Sequence, residues 1–434
     1  MNTDDTWKLI EERINALTSP DSLTGLAVVK KVLEKLGNPI HFPALHIAGT
    51  NGKGSVAADL DAVLRARGYR TALYTSPHLV NIGERLRIDG KPLPPQQWAR
   101  ALDAVEEILK ADAELRLGYF QITTAACFKM IADSAVDAAV IETGLGGRHD
   151  TTNILPRPLI SIITPLGMDH MHLLGHTLTE IAANKFDIAK KGCPALYCGG
   201  TAELNAQFKR RCAEIGARGE VLSETCRVTD VRTSLQGSRF VFSSPRGTCE
   251  YTVALAGVYQ PENAALALRA LELVADRLPV SVEDTQKGLA GVRWPGRMEV
   301  LHVDPDVILD GAHNPHGTAA LIRALKALYD EETPINLVFT SMSDKDYGQS
   351  LKLYSEALPQ SRLYCTELSD APRCERAEKL ARTAEAFRWK TPPAVIHDPL
   401  RAVEEAAKSG GPVIVCGSLY FIGRIRGQLM NHVF

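Results

Sequence analysis

Residues 49 to 55, Gly-Thr-Asn-Gly-Lys-Gly-Ser, carry the densest chemistry in the sequence. They follow an apolar run, Ala44-Leu45-His46-Ile47-Ala48, and precede a helical pattern from Val56 to Arg67. Strand, glycine loop and helix in that order describe a phosphate cradle, because glycines let backbone N–H groups turn inward and a helix N-terminus favours an anion. Asn51, Gly52 and Gly54 belong to the cradle, Lys53 supplies a point charge for the outer phosphates, and the Ser55 hydroxyl can reach a magnesium ion. A nucleoside triphosphate is the expected ligand. Gly54 separates the lysine from the hydroxyl residue, so the spacing is not that of the standard phosphate loop.

Two further segments put polar groups at the end of an apolar run. Val140-Ile141-Glu142 breaks into the glycine turn 143–147, placing Glu142 where it either reaches a magnesium ion at the phosphate loop or caps the next turn. Thr164-Pro165-Leu166-Gly167-Met168-Asp169-His170 repeats the layout. There His170 either ligates a metal through neutral imidazole, with Asp169 orienting it, or hydrogen-bonds within its loop. Lys185, by pattern alone, is an ordinary solvated helical lysine. Cys127 and Met130 read as core. Asp310, His313 and His316 sit where a strand meets a helix, and their spacing suits a polar helix cap better than a metal cluster.

The elements that must position these groups are α/β. From Ala44 to about Ala195 apolar runs alternate with amphipathic patterns: strands are expected at Leu45 to Ala48, Thr71 to Thr75, Ala138 to Ile141, Leu159 to Thr164 and Ala195 to Cys198. Helices are expected at Pro94 to Leu115, Ile122 to Ala132 and Leu178 to Lys190. Residues 220 to 255 read as a small antiparallel ribbon that ends the first domain's sheet. Helical patterns follow at Asn263 to Ala275 and Val282 to Ala290. The boundaries expected are a nucleotide-binding domain over 1–293, a connection at 294–297, and a doubly wound second domain over 298–434.

Bulk properties narrow the partners. At 434 residues the chain exceeds one ordinary core, and 49 basic against 51 acidic residues give no electrostatic reason to expect nucleic acid or a membrane. Small molecules are the expected partners. The polar start and the absence of an apolar run near ~20 residues point to the cytoplasm. Nine cysteines without a C-x-x-C pair read as reduced and mostly buried.

Several ordered motifs, spread over nearly the whole chain, resemble those of the folylpolyglutamate synthase/dihydrofolate synthase family of the Mur ligase superfamily: HIAGTNGKGS (46–55), YTSPHL (74–79), ERLRIDG (84–90), ETGLGGRHDTTN (142–153), TPLGMDH (164–170), YQPENAALAL (259–268), WPGRMEV (294–300) and DGAHNPHG (310–317). The resemblance implies a Mur-ligase-like fold and an ATP-dependent amide ligase. Its implied substrates are dihydropteroate, reduced folates and L-glutamate, joined through an acyl phosphate. It implies magnesium ligands at Ser76, Glu142 and His170, a triphosphate loop at 51–55, and ATP contacts from Asn263, Arg297 and Asp310, with the nucleotide between two domains. It also implies a carbamate on Lys185, which reverses the reading from pattern alone, and a monomer.

Phe120, Gln121, His149, Asp150 and Thr151 fall in segments resembling the pterin pocket, and His313 and His316 in a motif used near nucleotide and glutamate. Departures stand at Gln121, where the family usually has glutamate, at Phe186-Asp187 in place of Ala-Gly, and at His149-Asp150-Thr151 in place of Leu-Asp-Ala. Ser22-Leu23-Thr24-Gly25-Leu26 resembles the dihydropteroate segment only loosely. A bifunctional enzyme is the leading expectation. Folylpolyglutamate synthesis alone, a cell-wall Mur ligase, and a non-catalytic nucleotide-binding regulator are the alternatives.

Overall fold

The computed structural model describes residues 3–19, 26–302 and 304–430. The expected dihydropteroate segment at Ser22 to Gly25 lies outside them. The described chain divides into two compact units: one holds the residues up to Thr229 with Val241–Tyr251 and Glu262–Val292, the other Asp230–Phe240, Thr252–Pro261 and the residues from Arg293 on.

The first unit is built on an eight-stranded sheet of β1 (Ala44–Ala48), β2 (Thr71–Tyr74), β3 (Leu86–Ile88), β4 (Lys91–Pro92), β5 (Ala138–Glu142), β6 (Ile160–Ile163), β7 (Pro194–Tyr197) and β8 (Arg218–Val221), in the order β4-β3-β2-β5-β1-β6-β7-β8. β1, β5 and β6 are buried along their whole length, which is why they read as continuous apolar runs rather than alternating ones. The short β3 and β4 add an antiparallel edge that the sequence pattern does not announce. Register places Ile47 beside both Glu142 and Ile162, so the carboxyl ends of β5, β1 and β6 lie level. In a parallel sheet such ends form the ligand-binding edge.

Behind β1 runs the helix Lys53–Arg67, buried from Gly54 to Leu64 and ended by Gly68 in the left-handed conformation (φ 97°). Two helices absent from the sequence-based expectations, Thr3–Leu17 and Leu26–Lys35, cover the first unit's core. Trp7, Ile10 and Ile14 supply the apolar stripe of the first, and the Trp7 ring meets Trp98 edge-on at 6.3 Å. The helix expected over 178–190 ends at Phe186.

Residues 227–253 form β9 (Arg227–Ser234), β10 (Gly237–Ser244) and β11 (Gly247–Val253), joined by two-residue connections that only antiparallel strands permit. This corrects the expectation that the ribbon ends the first sheet: it is a separate three-stranded sheet, and the first sheet ends at β4 on one side and β8 on the other. Its residues are shared between the two units.

The second unit carries β12 (Glu299–His302), β13 (Val307–Leu309), β14 (Asn336–Phe339), β15 (Arg362–Cys365), β16 (Ala394–Val395) and β17 (Val413–Cys416) in the order β12-β13-β17-β14-β15-β16. Only β12 runs antiparallel to its neighbour. Leu235, Ala256 and Tyr259 pack into this unit's core with Phe339, Leu351 and Tyr354.

Candidate functional site at the phosphate loop

The loop after β1 leans on the loop after β6, where the Pro165 carbonyl accepts from Thr50 N at 3.0 Å and from Asn51 N at 3.3 Å. Gly52 precedes the helix at φ 85°, and a Cβ there would lie 2.6 Å from the Asn263 side-chain oxygen, so glycine alone lets Asn263 approach. Lys53 Nζ donates to the Thr50 carbonyl at 3.2 Å and stands 4.0 Å from Glu142 Oε1. The other Glu142 oxygen accepts from Ser76 N at 3.2 Å. Ser76, Glu142 and Lys53 are therefore brought together, with Ser55 buried in the first helical turn beside them in sequence.

Thr50 and Thr164, which sequence reasoning did not single out, strap this loop to the one after β6. Thr50 Oγ1 donates to the Gly167 carbonyl at 3.1 Å and accepts from Gly167 N at 3.0 Å, while Thr164 Oγ1 donates to the Asn51 carbonyl at 2.7 Å. The signal was present, since both residues lie inside the quoted motifs.

Lys185 is not the solvated lysine its pattern suggests. It is only 4% exposed, on the buried helix face of Ile181, Ala182 and Phe186, and its Nζ donates to the Gly49 carbonyl at 2.7 Å. Burial, and then the Lys53 charge, push its pKa down to about 7, against the opposing pull of Asp169 and Asp150. His170 is half-exposed at φ 48°; its backbone N–H donates to Asp169 Oδ1 at 2.9 Å and its ring Nε2 lies 3.8 Å from the same oxygen.

Phe120 lies against the turn after β5: a Cβ on Gly144 would be 2.4 Å from its ring, and the Tyr74 ring is 6.4 Å away. Gln121 caps its own helix, accepting from Gly118 N at 2.8 Å. Asp150 is buried and accepts from Leu145 N at 2.8 Å and Thr152 N at 2.9 Å; burial raises its pKa against those donors. Thr151 is buried with it, whereas His149 is exposed. The unusual Phe186-Asp187 pair has a structural account. Phe186 meets Tyr197 and Phe208 edge to face at 5.2 and 5.1 Å, and Asp187 pairs with Arg148 and with Arg211 Nε at 2.7 Å.

In the second unit the buried Asp310 accepts from Ala312 N and Met298 N at 2.9 Å each and from the Tyr259 hydroxyl at 3.3 Å. Burial raises its pKa, and the nearby Arg297 charge opposes that rise. His313 Nδ1 is 2.8 Å from the Gly311 carbonyl. His316 is partly buried, and desolvation followed by Arg323 lowers its pKa. Asn314, rather than a histidine, caps the following helix by accepting from Gly317 N. Among the described residues the one triad of His, Cys, Asp or Glu with ligand atoms within 4.8 Å is Glu367, Glu378 and His397. The two nitrogens of His397 face different carboxylates there, and Glu367 also holds Arg376, so it is a charge network.

A magnesium ion fits the donor chemistry at the phosphate loop, where the Glu142 carboxylate and the Ser76 residue adjoin and Lys53 flanks them. Two family models match the chain: "Mur ligase middle domain" over residues 47–271 and "Mur ligase, glutamate ligase domain" over 296–419. Fold and site together thus define a Mur-type ligase. The dihydrofolate synthase/folylpolyglutamate synthase of Bacillus subtilis is 32% identical over 93% of this chain and 95% of its own. The chain belongs to the dihydrofolate synthase/folylpolyglutamate synthase family. Among solved structures, Mycobacterium tuberculosis folylpolyglutamate synthase complexed with ADP superposes with TM-score 0.89 at 28% identity, covering all of both chains. Escherichia coli FolC in complex with DHPP and ADP gives 0.86 at 28%, over 99% of this chain and 98% of its own.

Proposed function

We propose that this protein is an ATP-dependent carboxylate–amine ligase that adds L-glutamate to dihydropteroate, giving dihydrofolate, and to tetrahydrofolate, giving polyglutamates. The observation that carries the reading is the buried Lys185, held by the Gly49 carbonyl within electrostatic reach of Lys53. A protein that only bound nucleotide would have no use for a costly buried amine at its phosphate loop.

The acceptor's carboxylate attacks the γ-phosphorus of ATP, forming an acyl phosphate and releasing ADP. The α-amine of glutamate then attacks the acyl carbonyl, loses a proton, and expels inorganic phosphate from the tetrahedral intermediate. Backbone N–H groups of residues 51–55 bind the triphosphate, and Lys53 offsets charge on the transferring phosphoryl group. Ser76, Glu142 and His170 are the residues that would hold magnesium, which when bound neutralises phosphate charge. Lys185, whose pKa near 7 leaves much of it as free amine at neutral pH, adds to carbon dioxide: an N–C bond forms, a proton leaves, and a cation becomes an anionic oxygen donor.

Phe120, Gln121, His149, Asp150 and Thr151 are assigned to the acceptor side. Asn263, Arg297 and Asp310 are assigned to the nucleotide, and His313 and His316 to nucleotide or glutamate. The reading also takes the functional parts to be 1–293 and 298–434 about a connection at 294–297, and the protein to be a cytoplasmic monomer of 47.2 kDa without nucleic-acid or membrane partners. No helix among the described residues is long and apolar enough to cross a membrane.

One observation favours a narrower second reading. Gln121 brings a neutral amide where the family usually has a carboxylate, which bears on dihydropteroate and leaves folylpolyglutamate synthesis alone. Phosphate release with ATP, magnesium and L-glutamate, compared for dihydropteroate, tetrahydrofolate and no pterin, separates the readings. Release with both acceptors supports the bifunctional enzyme, release with tetrahydrofolate alone supports the narrower one, and release with neither overturns both.

A further inference from the structure

A buried polar chain lies beneath the turn after β5, and two of its three members, His46 and Thr152, have none of the roles above. His46, on β1 three residues before Gly49, is fully buried, and its Nε2 stands 2.8 Å from Thr152 Oγ1. That hydroxyl donates to Asp150 Oδ1 at 2.5 Å. A threonine hydroxyl has one proton; since it goes to Asp150, the oxygen must accept from His46, which fixes the imidazole as the tautomer protonated at Nε2. Burial keeps that ring neutral, with a pKa lowered to about 3. Its Nδ1 is buried without a partner among the described residues, so the bond to Thr152 is the one that holds this ring.

Asp150 in turn closes a loop. One of its oxygens holds Thr152 N and Oγ1, and the other holds Leu145 N, so a single carboxylate joins both ends of residues 145–152. That loop touches two parts of the candidate site. Its Gly144 end lies against the Phe120 ring, and a Cβ on Gly147 would fall 2.7 Å from the Asn184 carbonyl oxygen and 2.9 Å from the Lys185 Cα. A shift of a few tenths of an ångström in the loop would therefore be felt by the aromatic wall and by the lysine's backbone alike.

We propose that His46 and Thr152 are positioning residues for the acceptor: they orient the Asp150 carboxylate, and through it the loop that places Phe120 and seats Lys185. This rests on the ligase reading. The relay reaches the nucleotide side only through the backbone at Lys185, whose side chain is held separately by the Gly49 carbonyl, so its loss should weaken acceptor use more than nucleotide binding. It also explains a polar run of histidine, threonine and aspartate inside an otherwise apolar region, where each unpartnered member would cost stability.

The test compares Thr152→Val, which keeps the volume and removes the hydroxyl, with Thr152→Ser, which keeps the hydroxyl. Acceptor KM, ATP KM and direct ATP binding by calorimetry are measured for both beside the wild-type enzyme. The expected result is an acceptor KM raised by up to roughly 100-fold in Thr152→Val, an ATP affinity within about twofold of wild type, and recovery in Thr152→Ser. Unchanged acceptor KM in Thr152→Val, an equal loss for ATP, or no recovery in Thr152→Ser overturns the proposal. If Thr152→Val does not fold, or wild type does not ligate, nitrogen NMR of histidine-labelled wild-type protein decides separately. His46 protonated at Nε2 supports the relay and protonation at Nδ1 overturns it, whereas an inactive wild type counts against the ligase reading alone.

Discussion

Lys185 shows how much one residue's surroundings decide. Its ordinary pKa of 10.5 falls to about 7 because burial and Lys53 disfavour the ammonium. Between those values the unfolded chain holds a proton that the folded chain does not, so this lysine makes the protein more stable as pH rises from about 7 towards 10.5, and Lys185→Met should flatten that slope in denaturant titrations. Carbamate formation needs the free amine, so ligase activity is expected to rise through pH 7 and to fall in buffer stripped of carbon dioxide, with bicarbonate restoring it. An activity indifferent to bicarbonate would count against the carbamate. At Gln121 the amide already caps the helix Tyr119–Asp133, and glutamate makes the same bond to Gly118 N. Gln121→Glu is therefore expected to gain about 0.3–1 kcal/mol from the added negative charge near a helix N-terminus, read as a higher Tm, and to lower the KM for dihydropteroate.

At the scale of elements, the helix Lys53–Arg67 carries a liability besides the role proposed for its first turn. Asp59 is fully buried within it, and neither carboxylate oxygen has a hydrogen-bond partner among the described residues. Burial raises its pKa well above the usual 3.8, so the charge-linked cost is absent below the unfolded-state pKa and grows as pH climbs towards the folded one. Asp59→Leu should stabilise the protein by about 1–3 kcal/mol, more at pH 7 than at pH 4, in urea unfolding followed by circular dichroism. A destabilised variant would show that the carboxyl makes a favourable interaction in the folded protein that outweighs its desolvation. The opposite balance holds at the helix Leu178–Phe186, where Thr177 and Glu180 form a capping box that anchors the segment carrying Lys185.

At the scale of the molecule, the second unit is not a continuous stretch. Residues 230–240 and 252–261 belong to it, bringing Leu235, Ala256 and Tyr259 to its core and the Tyr259 hydroxyl to Asp310. A fragment starting at residue 293 lacks all of these. Its expected behaviour is a loosely packed state with weak near-ultraviolet circular dichroism and a broad thermal transition. A fragment of 293–434 that unfolds as sharply as the whole protein would show that the earlier segments are dispensable.

The sequence by itself determined the alternation of elements, the strand, glycine turn and helix around residues 49–55, and the family, because period, glycine placement and ordered motifs are local properties of a chain. The place of Glu142 at a strand end was legible for the same reason, whereas His170 lies seven residues beyond β6, before a short helix. The N-terminal helices escaped because a polar, charged start masks a stripe of a few apolar residues, and the edge strands β3 and β4 because two or three residues carry no period. Only the tertiary structure decided that Lys185 is buried against Gly49, that Ser76 N meets Glu142, and that His46 reaches Thr152 across 106 positions. Burial and hydrogen bonding depend on which distant segments share a space, and that is set by the packing of the sheet and its helices rather than by any residue's neighbours in sequence.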